Sequence, residues 1–390
     1  MQHHAVMLPS APASKDSRIV IGTMTGTSLD GDIDIAAIRV DGHGYAIRAR
    51  FLAGHSHPLG RLVEDLRRAA QQEPMTAREF ARVAQAFGEA HASAITTLCA
   101  RLRLTPDLVT LHGQTVYHAP PLSWQLMNPW PVACAMRCRV RFDLRAANLA
   151  SGGEGAPITP LADHFLFHTR SAPTAVLNLG GFANATLLAP DTNADARLEL
   201  PHISGFDVCP CNHLLNRVAQ DRLGKAFDAD GGAARTGKSD AAALGAVLEA
   251  MRASTRASAA ARRSLGTGDE AASIVRHTAH LAPNDACRTV SDAVAQSIVS
   301  ALREAGVRDE HALLLAGGST RHQPLVQAIA SARSGQTVDT MASHGVPIDM
   351  REAAGIAVLG ALADDGVSYC LDAVVGAKSR ALDSACIEPN

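Results

Sequence analysis

Residues 19–40, IVIGTMTGTSLDGDIDIAAIRV, constrain the fold more than any other stretch of the chain. The apolar run Ile19-Val20-Ile21 reads as a buried strand, and Ile33, Ile35, Ile38 and Val40 resume a second one. Between them lies a turn of Gly, Thr, Ser and Asp with no bulky side chain. Such a turn crowds backbone N–H groups and hydroxyls into one concavity, a geometry that suits phosphate oxygens. A plain hairpin whose Gly and Asp merely satisfy turn dihedrals fits the same residues.

The rest of the chain narrows the choice. At 390 residues it is too long for one ordinary core, so two domains are expected. The composition, 47% hydrophobic and 19% charged, supports a large core and argues against global disorder. A formal net charge of -2 with no long basic run gives nucleic acid and anionic membranes nothing to hold, and 4% aromatic content leaves little to stack bases on. The cysteines, Cys99, Cys134, Cys138, Cys209, Cys211, Cys287, Cys370 and Cys386, are scattered. They read as reduced thiols of a cytoplasmic protein, and their spacings do not make a zinc site. No apolar run approaches the roughly 18 residues of a membrane span. The first seventeen residues have no basic region followed by an apolar core; they read as a loose tail and not as a signal peptide.

Along the chain, Tyr45–Ala53 reads as a third strand and Leu59–Ala70 as a helix. Thr76-Ala-Arg-Glu79 is a capping box opening a long helical region to Leu104. Residues 106–113 run from a strand into a Gly turn, 126–143 look strand-rich, and 151–157 form a flexible joint before a helix at 161–168. The second half repeats the order. Strand, Gly turn and strand recur over 174–188, helices follow at 212–223, 240–253 and 288–305, and 311–319 is again a strand entering a Gly turn. A last helix spans 325–332. Two copies of one plan imply two related α/β lobes whose Gly turns face one cleft, a plausible nucleotide clamp. One motif misleads. Gly232-Ala-Ala-Arg-Thr-Gly-Lys-Ser239 matches the P-loop expression, but Lys225–Asp230 before it is no strand.

Several stretches together resemble the anhydro-N-acetylmuramic acid kinase family. They are Gly22–Gly31, His112-Gly-Gln-Thr-Val-Tyr-His118, Phe142-Asp-Leu-Arg145, Gly152–Pro157, Asn178–Asn184, Gly205-Phe-Asp207, Ala316-Gly-Gly-Ser319 and Gly345–Glu352. The resemblance runs from about Ile19 to about Leu362. It implies the α/β, two-lobed actin-like ATPase fold of actin, sugar kinases and Hsp70, with an interlobe cleft. The expected division is a tail over 1–17, an N-terminal lobe over 18–147 and a C-terminal lobe over 148–362. A C-terminal helix over about 363–385 could pack back on the first lobe.

The resemblance also implies the reaction: ATP phosphorylates O6 of a 1,6-anhydro sugar while water opens the bridge at C1. It places Asp207 as general base, Glu352 as its catalytic companion, and Thr115 and Arg145 against the sugar. ATP is expected at Gly26, Thr27, Ser28, Leu29, Asp30, Gly31, Asp32 and Ile33, and at Gly180, Gly181, Gly317 and Gly318, with Mg²⁺ bridging its phosphates. The metal ligands are left unassigned, and a homodimer is left open.

Taken without the resemblance, Glu352 reads as a solvated helix start, Arg145 as a surface cation and Asp207 as an N-cap. The chain departs from the family in places. Cys209 and Cys211 stand where glycines are usual, Met127-Asn128 where Gly-Asp is, and Ser319 where a third Gly is. Arg263–Glu270 alters a familiar run, and Ile33, between Asp32 and Asp34, replaces an Asp. An altered pocket is therefore expected, since Gly adopts dihedrals that Cys does not. Two other readings compete: a kinase for a different, levoglucosan-like anhydro sugar, and a non-catalytic relative that binds nucleotide or sugar.

Overall fold

The computed structural model describes residues 3–5, 16–25, 31–167, 173–188, 203–260, 270–333, 338–370 and 384–389. Gly26, Thr27, Ser28, Leu29 and Asp30 lie outside the described residues, as do 261–269 and 371–383. The described chain falls into two compact units, one built from residues up to 167 and from 344 onward, the other from 173–188 and 204–343.

The first unit is organised on a seven-stranded sheet. Its centre is β2 (Ser17–Met24), β3 (Asp32–Asp41) and β4 (Arg48–Pro58), paired antiparallel in sequence order. β5 (Leu108–Leu111) and β8 (Arg139–Phe142) continue parallel from β2. The edges are β1 (His3–Ala5) on β4 and β14 (Ala385–Ile387) on β8. Side-chain alternation decides what covers each face. Ile21, Ile33, Ile35 and Ala37 point into a core closed by α1 (Leu62–Ala70) and α2 (Ala77–Leu102). The opposite face carries α12 (Arg351–Asp364), which packs on α5 (Pro160–Phe167). A small antiparallel hairpin of β6 (Gln114–Ala119) and β7 (Leu122–Leu126) stands apart from the large sheet, with α3 (Trp130–Met136) and α4 (Ala146–Ala150) after it.

The second unit repeats the plan. β9 (Thr174–Leu179) runs antiparallel to β10 (Phe182–Leu188) and parallel to β12 (Ala312–Ala316). β11 (Ile203–Pro210) extends the sheet beyond β10, and β13 (Val338–Thr340) extends it beyond β12. The order β11-β10-β9-β12-β13 matches β4-β3-β2-β5-β8 strand for strand. The helices are α6 (Asn212–Leu223), α7 (Gly232–Thr236), α8 (Ala241–Ala260), α9 (Glu270–Val275), α10 (Pro283–Glu304) and α11 (Gln323–Ala332). This is the two-lobed α/β architecture expected from the sequence.

Five expectations need correction. His3–Ala5, within the supposed loose tail, pairs with the otherwise bare edge of β4. The stretch 126–143 is not strand-rich: Pro129 and Pro131 start α3, and Arg137, at φ 53°, closes it. The first unit does not end at residue 147 but continues through α5. The joint at 151–157 is pinned, because the Asn148 side chain accepts the Gly155 N–H at 2.7 Å and its carbonyl accepts that of Gly153 at 2.9 Å. Finally, α12 ends at Asp364 and residues 365–370 are not helical. Residues 371–383 of the expected helix lie outside the described residues, and Ala385–Ile387 pairs with β8 as β14.

Candidate active site

In the first unit the site is set by how closely α12 lies on the sheet. A Cβ on Gly22 of β2 would overlap the Ala353 carbonyl and the Ala357 amide. One on Gly54 of β4 would overlap the Met350 side chain, and one on Gly360 the Thr110 side chain. The helix is fixed at both ends. Arg351 forks onto Asp163 of α5, with Nε donating to Oδ1 at 2.9 Å and both residues buried. At the far end Asp365 accepts from Arg18 at 2.5 Å and from the Gly44 amide at 2.8 Å. Glu352, in the first turn, is thereby held at a fixed position, half-buried, as the first helix end to meet the sheet.

Strand alternation adds a residue to Glu352. Ala36 pairs with Gly22 and Gly54 beneath α12, so Asp34, two residues earlier, points the same way toward the start of that helix. Its Oδ1 accepts the Ser56 hydroxyl at 2.6 Å. Burial, with smaller help from Asp349, Asp32 and Glu352, pushes its carboxyl up to about 7 against the pull of that hydrogen bond. Ile33 turns the other way and is wholly buried in the core. Expected to line the nucleotide, it can offer a ligand only its backbone. The neighbouring carboxylate on the α12 side of the strand is Asp34. Of the phosphate-hairpin residues that are described, Gly31 holds φ at 114°, which only glycine adopts without strain, and Asp32 is exposed. The buried hydroxyls of Thr23 and Thr25, at the mouth of the hairpin, have no hydrogen-bond partner among the described residues.

Arg145 is not a surface cation. Its Nε donates to His112 Nε2 at 3.1 Å and its Nη1 to the Gly155 carbonyl at 2.7 Å. Tyr369 steadies this turn by donating to the Leu144 carbonyl at 2.9 Å. Burial brings the guanidinium down to about 10, and Glu352 pulls the other way. His112 is buried and held neutral, first by burial and then by the Arg145 charge. Because Arg145 can only donate, the imidazole accepts at Nε2 and carries its proton on Nδ1. Thr115, two residues into β6, accepts from the Gln125 amide at 3.4 Å. The first unit therefore gathers Glu352, Asp34 and Arg145, with Thr115 on the neighbouring hairpin. Asp34, His112 and Gln125 were not singled out from the sequence. The phase of β3 would have revealed Asp34, and the His-Gly-Gln-Thr motif held the other signal.

In the second unit, Gly180 and Gly181 make a tight turn docked on α6. The Asn212 amide donates to the Gly180 carbonyl and the Cys211 amide to that of Gly181, both at 2.9 Å. Gly181 lies under His213, where a Cβ would come within 2.7 Å of the ring, while one on Gly180 would make only ordinary contact, 3.4 Å from the Phe182 carbonyl. Gly317, at φ 86°, passes so close to β9 that a Cβ would stand 2.7 Å from Asn178 and Leu179. Gly318 is open, with Asn212 its nearest neighbour at 3.8 Å. Ser319 donates to Asn212, tying the two turns together. Asp207 is exposed on the edge strand β11. It is not an N-cap, since Cys211 fills that position of α6.

Cys209 and Cys211 do not disturb a ligand surface. Both are wholly buried in the core of this unit, with burial pushing both thiols up, and Cys211 has φ -123°, open to any residue. The P-loop match fails on geometry. Its first five residues are α7, Gly237 packs against the Asn284 backbone, and the Lys238 amide donates to Asp285 at 2.7 Å.

Comparison with known proteins follows this geometry. A family model described as anhydro-N-acetylmuramic acid kinase matches residues 18–388. A protein of that name from Bordetella avium is 33% identical over 377 residues, covering 93% of this chain and 94% of its own. Another, from Rhizorhabdus wittichii, is 32% identical over 352 residues, covering 87% and 91%. Among solved structures, a ROK family glucokinase from Streptomyces griseus in complex with glucose and AMPPNP aligns at 14% identity and a TM-score of 0.37, over 88% of this chain and 99% of its own.

Proposed function

The chain belongs to the anhydro-N-acetylmuramic acid kinase family, and from that membership we infer that it is a phosphotransferase that opens the 1,6-anhydro bridge of anhydro-N-acetylmuramic acid and phosphorylates O6 with ATP. The observation that carries this is the family match over residues 18–388. The product would be N-acetylmuramic acid 6-phosphate, and the role cell-wall sugar recycling in the cytoplasm. Among the described residues no helix is long and apolar enough to cross a membrane.

In this reading Asp207 takes the proton of the water that attacks C1. The C1–O6 bond breaks and O6 takes the γ-phosphoryl group. A placed general base contributes roughly 10²–10⁴-fold. Glu352 and Arg145 fix the sugar from the first unit, and Thr115 hydrogen-bonds it. The phosphate hairpin and the turns at Gly180–Gly181 and Gly317–Gly318 hold the nucleotide. The unpartnered hydroxyls of Thr23 and Thr25 suit phosphate oxygens, and Gly180 and Gly318 leave room for backbone to approach a ligand. Magnesium neutralises phosphate charge when bound. Among the described residues, Asp32 and Asp34 are hard oxygen donors beside the hairpin and would hold it together with the phosphates and water.

Incubation of the protein with Mg-ATP and a panel of anhydro sugars, read by mass spectrometry, tests the reading. A product that gains phosphate and water is expected from anhydro-N-acetylmuramic acid. Gain of phosphate alone would make this an ordinary sugar kinase. A faster reaction with levoglucosan would move the substrate to a smaller sugar.

A further inference from the structure

Two of the departures from the family meet in the second unit. Cys211 and Ser319 each stand where a glycine is usual, and the Cys211 thiol donates to Ser319 Oγ at 3.7 Å. Both residues are buried. The Ser319 hydroxyl donates in turn to Asn212 Oδ1. A pair of glycines could make neither contact, so this chain carries a side-chain run of its own between the start of α6 and the β12 turn.

The direction of the run follows from its far end. Asn212 Nδ2 donates to the Leu179 carbonyl at 3.5 Å, and a carbonyl can only accept. The amide nitrogen therefore faces the end of β9 and the amide oxygen faces Ser319, which must give it the hydroxyl proton. Ser319 Oγ is left to accept, and the Cys211 thiol is what it accepts from. Asn212 Nδ2 carries two protons. Leu179 takes one, and the other has no acceptor among the described residues. The nitrogen that holds it borders the open side of the β12 turn. Apart from the chain neighbours of Gly318, it is the only described heavy atom within 4 Å of where a Gly318 Cβ would stand, at 3.8 Å. The main-chain amides of Cys211, Asn212 and His213 are already spent on the Gly180 and Gly181 carbonyls. What the start of α6 still offers a ligand is the Asn212 side chain.

We propose that Asn212 is a nucleotide-binding residue whose free Nδ2 proton goes to a phosphate oxygen at the Gly317–Gly318 turn, and that Ser319 is the positioning residue that holds the amide in this orientation. This rests on the kinase reading above and deepens it. A phosphate oxygen only accepts, so an amide turned with its oxygen outward would repel it. Ser319 is the donor that keeps that oxygen turned inward, and Cys211 occupies the one side from which Ser319 could itself accept from the amide nitrogen. Taking the hydroxyl away leaves Asn212 Oδ1 with no donor among the described residues, and the amide is free to turn.

The test measures the Kd for ATP and for adenosine in the wild-type, in Asn212→Ala, in Ser319→Ala and in the double variant. Loss of a hydrogen bond to a charged oxygen predicts that Asn212→Ala binds ATP roughly 10- to 100-fold more weakly. Ser319→Ala keeps the donor but not its aim, and should weaken ATP about 3- to 10-fold. Neither should change the Kd for adenosine by more than about twofold. Because Ser319 acts through Asn212, the double variant should bind ATP as Asn212→Ala does. Ser319→Ala carries the test should Asn212→Ala fail to fold. A Ser319→Ala protein with a lower Tm but the wild-type ratio of ATP to adenosine affinity overturns the proposal, leaving the tie structural only. Equal losses on ATP and adenosine overturn it too, moving Asn212 away from the phosphates. Either result leaves the kinase reading intact, whereas a wild-type that binds no ATP removes both.

Discussion

The two sheets share one strand order, yet their first hairpins differ in length and in what is left unpartnered beside them. Seven residues, 25–31, separate β2 from β3; two, Gly180 and Gly181, separate β9 from β10. The short turn is drawn onto α6, whose first amides already bind its carbonyls. At the long one, the buried Thr23 and Thr25 hydroxyls have no hydrogen-bond partner among the described residues. One scaffold thus carries a hairpin completed by its own chain and another beside which, among the described residues, buried polar atoms stay open. A repeated fold does not repeat a site. The hydrogen bonds left open in each copy mark where a ligand belongs.

The comparison can be broken at four points. The largest effect is expected at Asp207, the proposed base in the second unit. Asp207→Asn should lower kcat by roughly 10²-fold or more with Tm unchanged, since the amide is nearly isosteric but takes no proton. Near-normal kcat would leave the second unit without chemistry. Next are the neighbouring glycines of the β12 turn. Gly317→Ala should cost about 2–3 kcal/mol in urea unfolding, because the new Cβ meets β9 and the backbone has positive φ. Gly318→Ala, in open space, should stay within about 1 kcal/mol. Equal losses would mean that close packing does not distinguish the two.

Asp34 tests the first unit. Its carboxyl is raised from 3.8 to about 7, so the folded protein holds a proton there that the unfolded chain releases. Stability should be highest below about pH 4 with respect to this group and decline as pH rises through 7. The decline should amount to about 2 kcal/mol after allowance for partial exposure. Asp34→Asn should remove that slope from denaturation measured across this range in the absence of nucleotide. A wild-type with the same slope as the variant would show that Asp34 titrates normally. The smallest effect belongs to the false P-loop. Lys238→Ala should change the Kd for ATP by less than about twofold, and a loss beyond tenfold, roughly 1.4 kcal/mol, would restore the motif.

What could be read in the sequence was local. The Thr76–Glu79 capping box is present in full, with both reciprocal hydrogen bonds. α6 covers 212–223 as its periodicity indicated, and the lack of a strand before Gly232 excluded the P-loop. What could not be read depended on phase and on distant partners. Whether Ile33 or Asp34 faces α12 follows from where β3 begins its alternation, and a shift of one residue exchanges the two faces. Cys209 and Cys211 looked disruptive because motif position suggested a ligand surface, whereas their neighbours are core residues of the second unit. The joint at 151–157 looked flexible from its glycines alone, and only the contacts of Asn148 and Arg145 restrain it.

The glycine seam beneath α12 has a mechanical consequence. Side chains between a helix and a sheet act as a compliant layer, since rotamers shift to absorb small displacements. At Gly22 that layer is missing and helix backbone meets the sheet directly, while at Gly54 and Gly360 a single side chain, Met350 or Thr110, fills the whole gap. Arg351 clamps the start of the rod to α5, and Asp365 clamps its end to Arg18 at the start of β2. A push on Glu352 would therefore reach the first strand undamped, some 14 residues of helix away. The tolerance on Glu352 is set by the stiffness of the whole rod rather than by the contacts around its carboxylate.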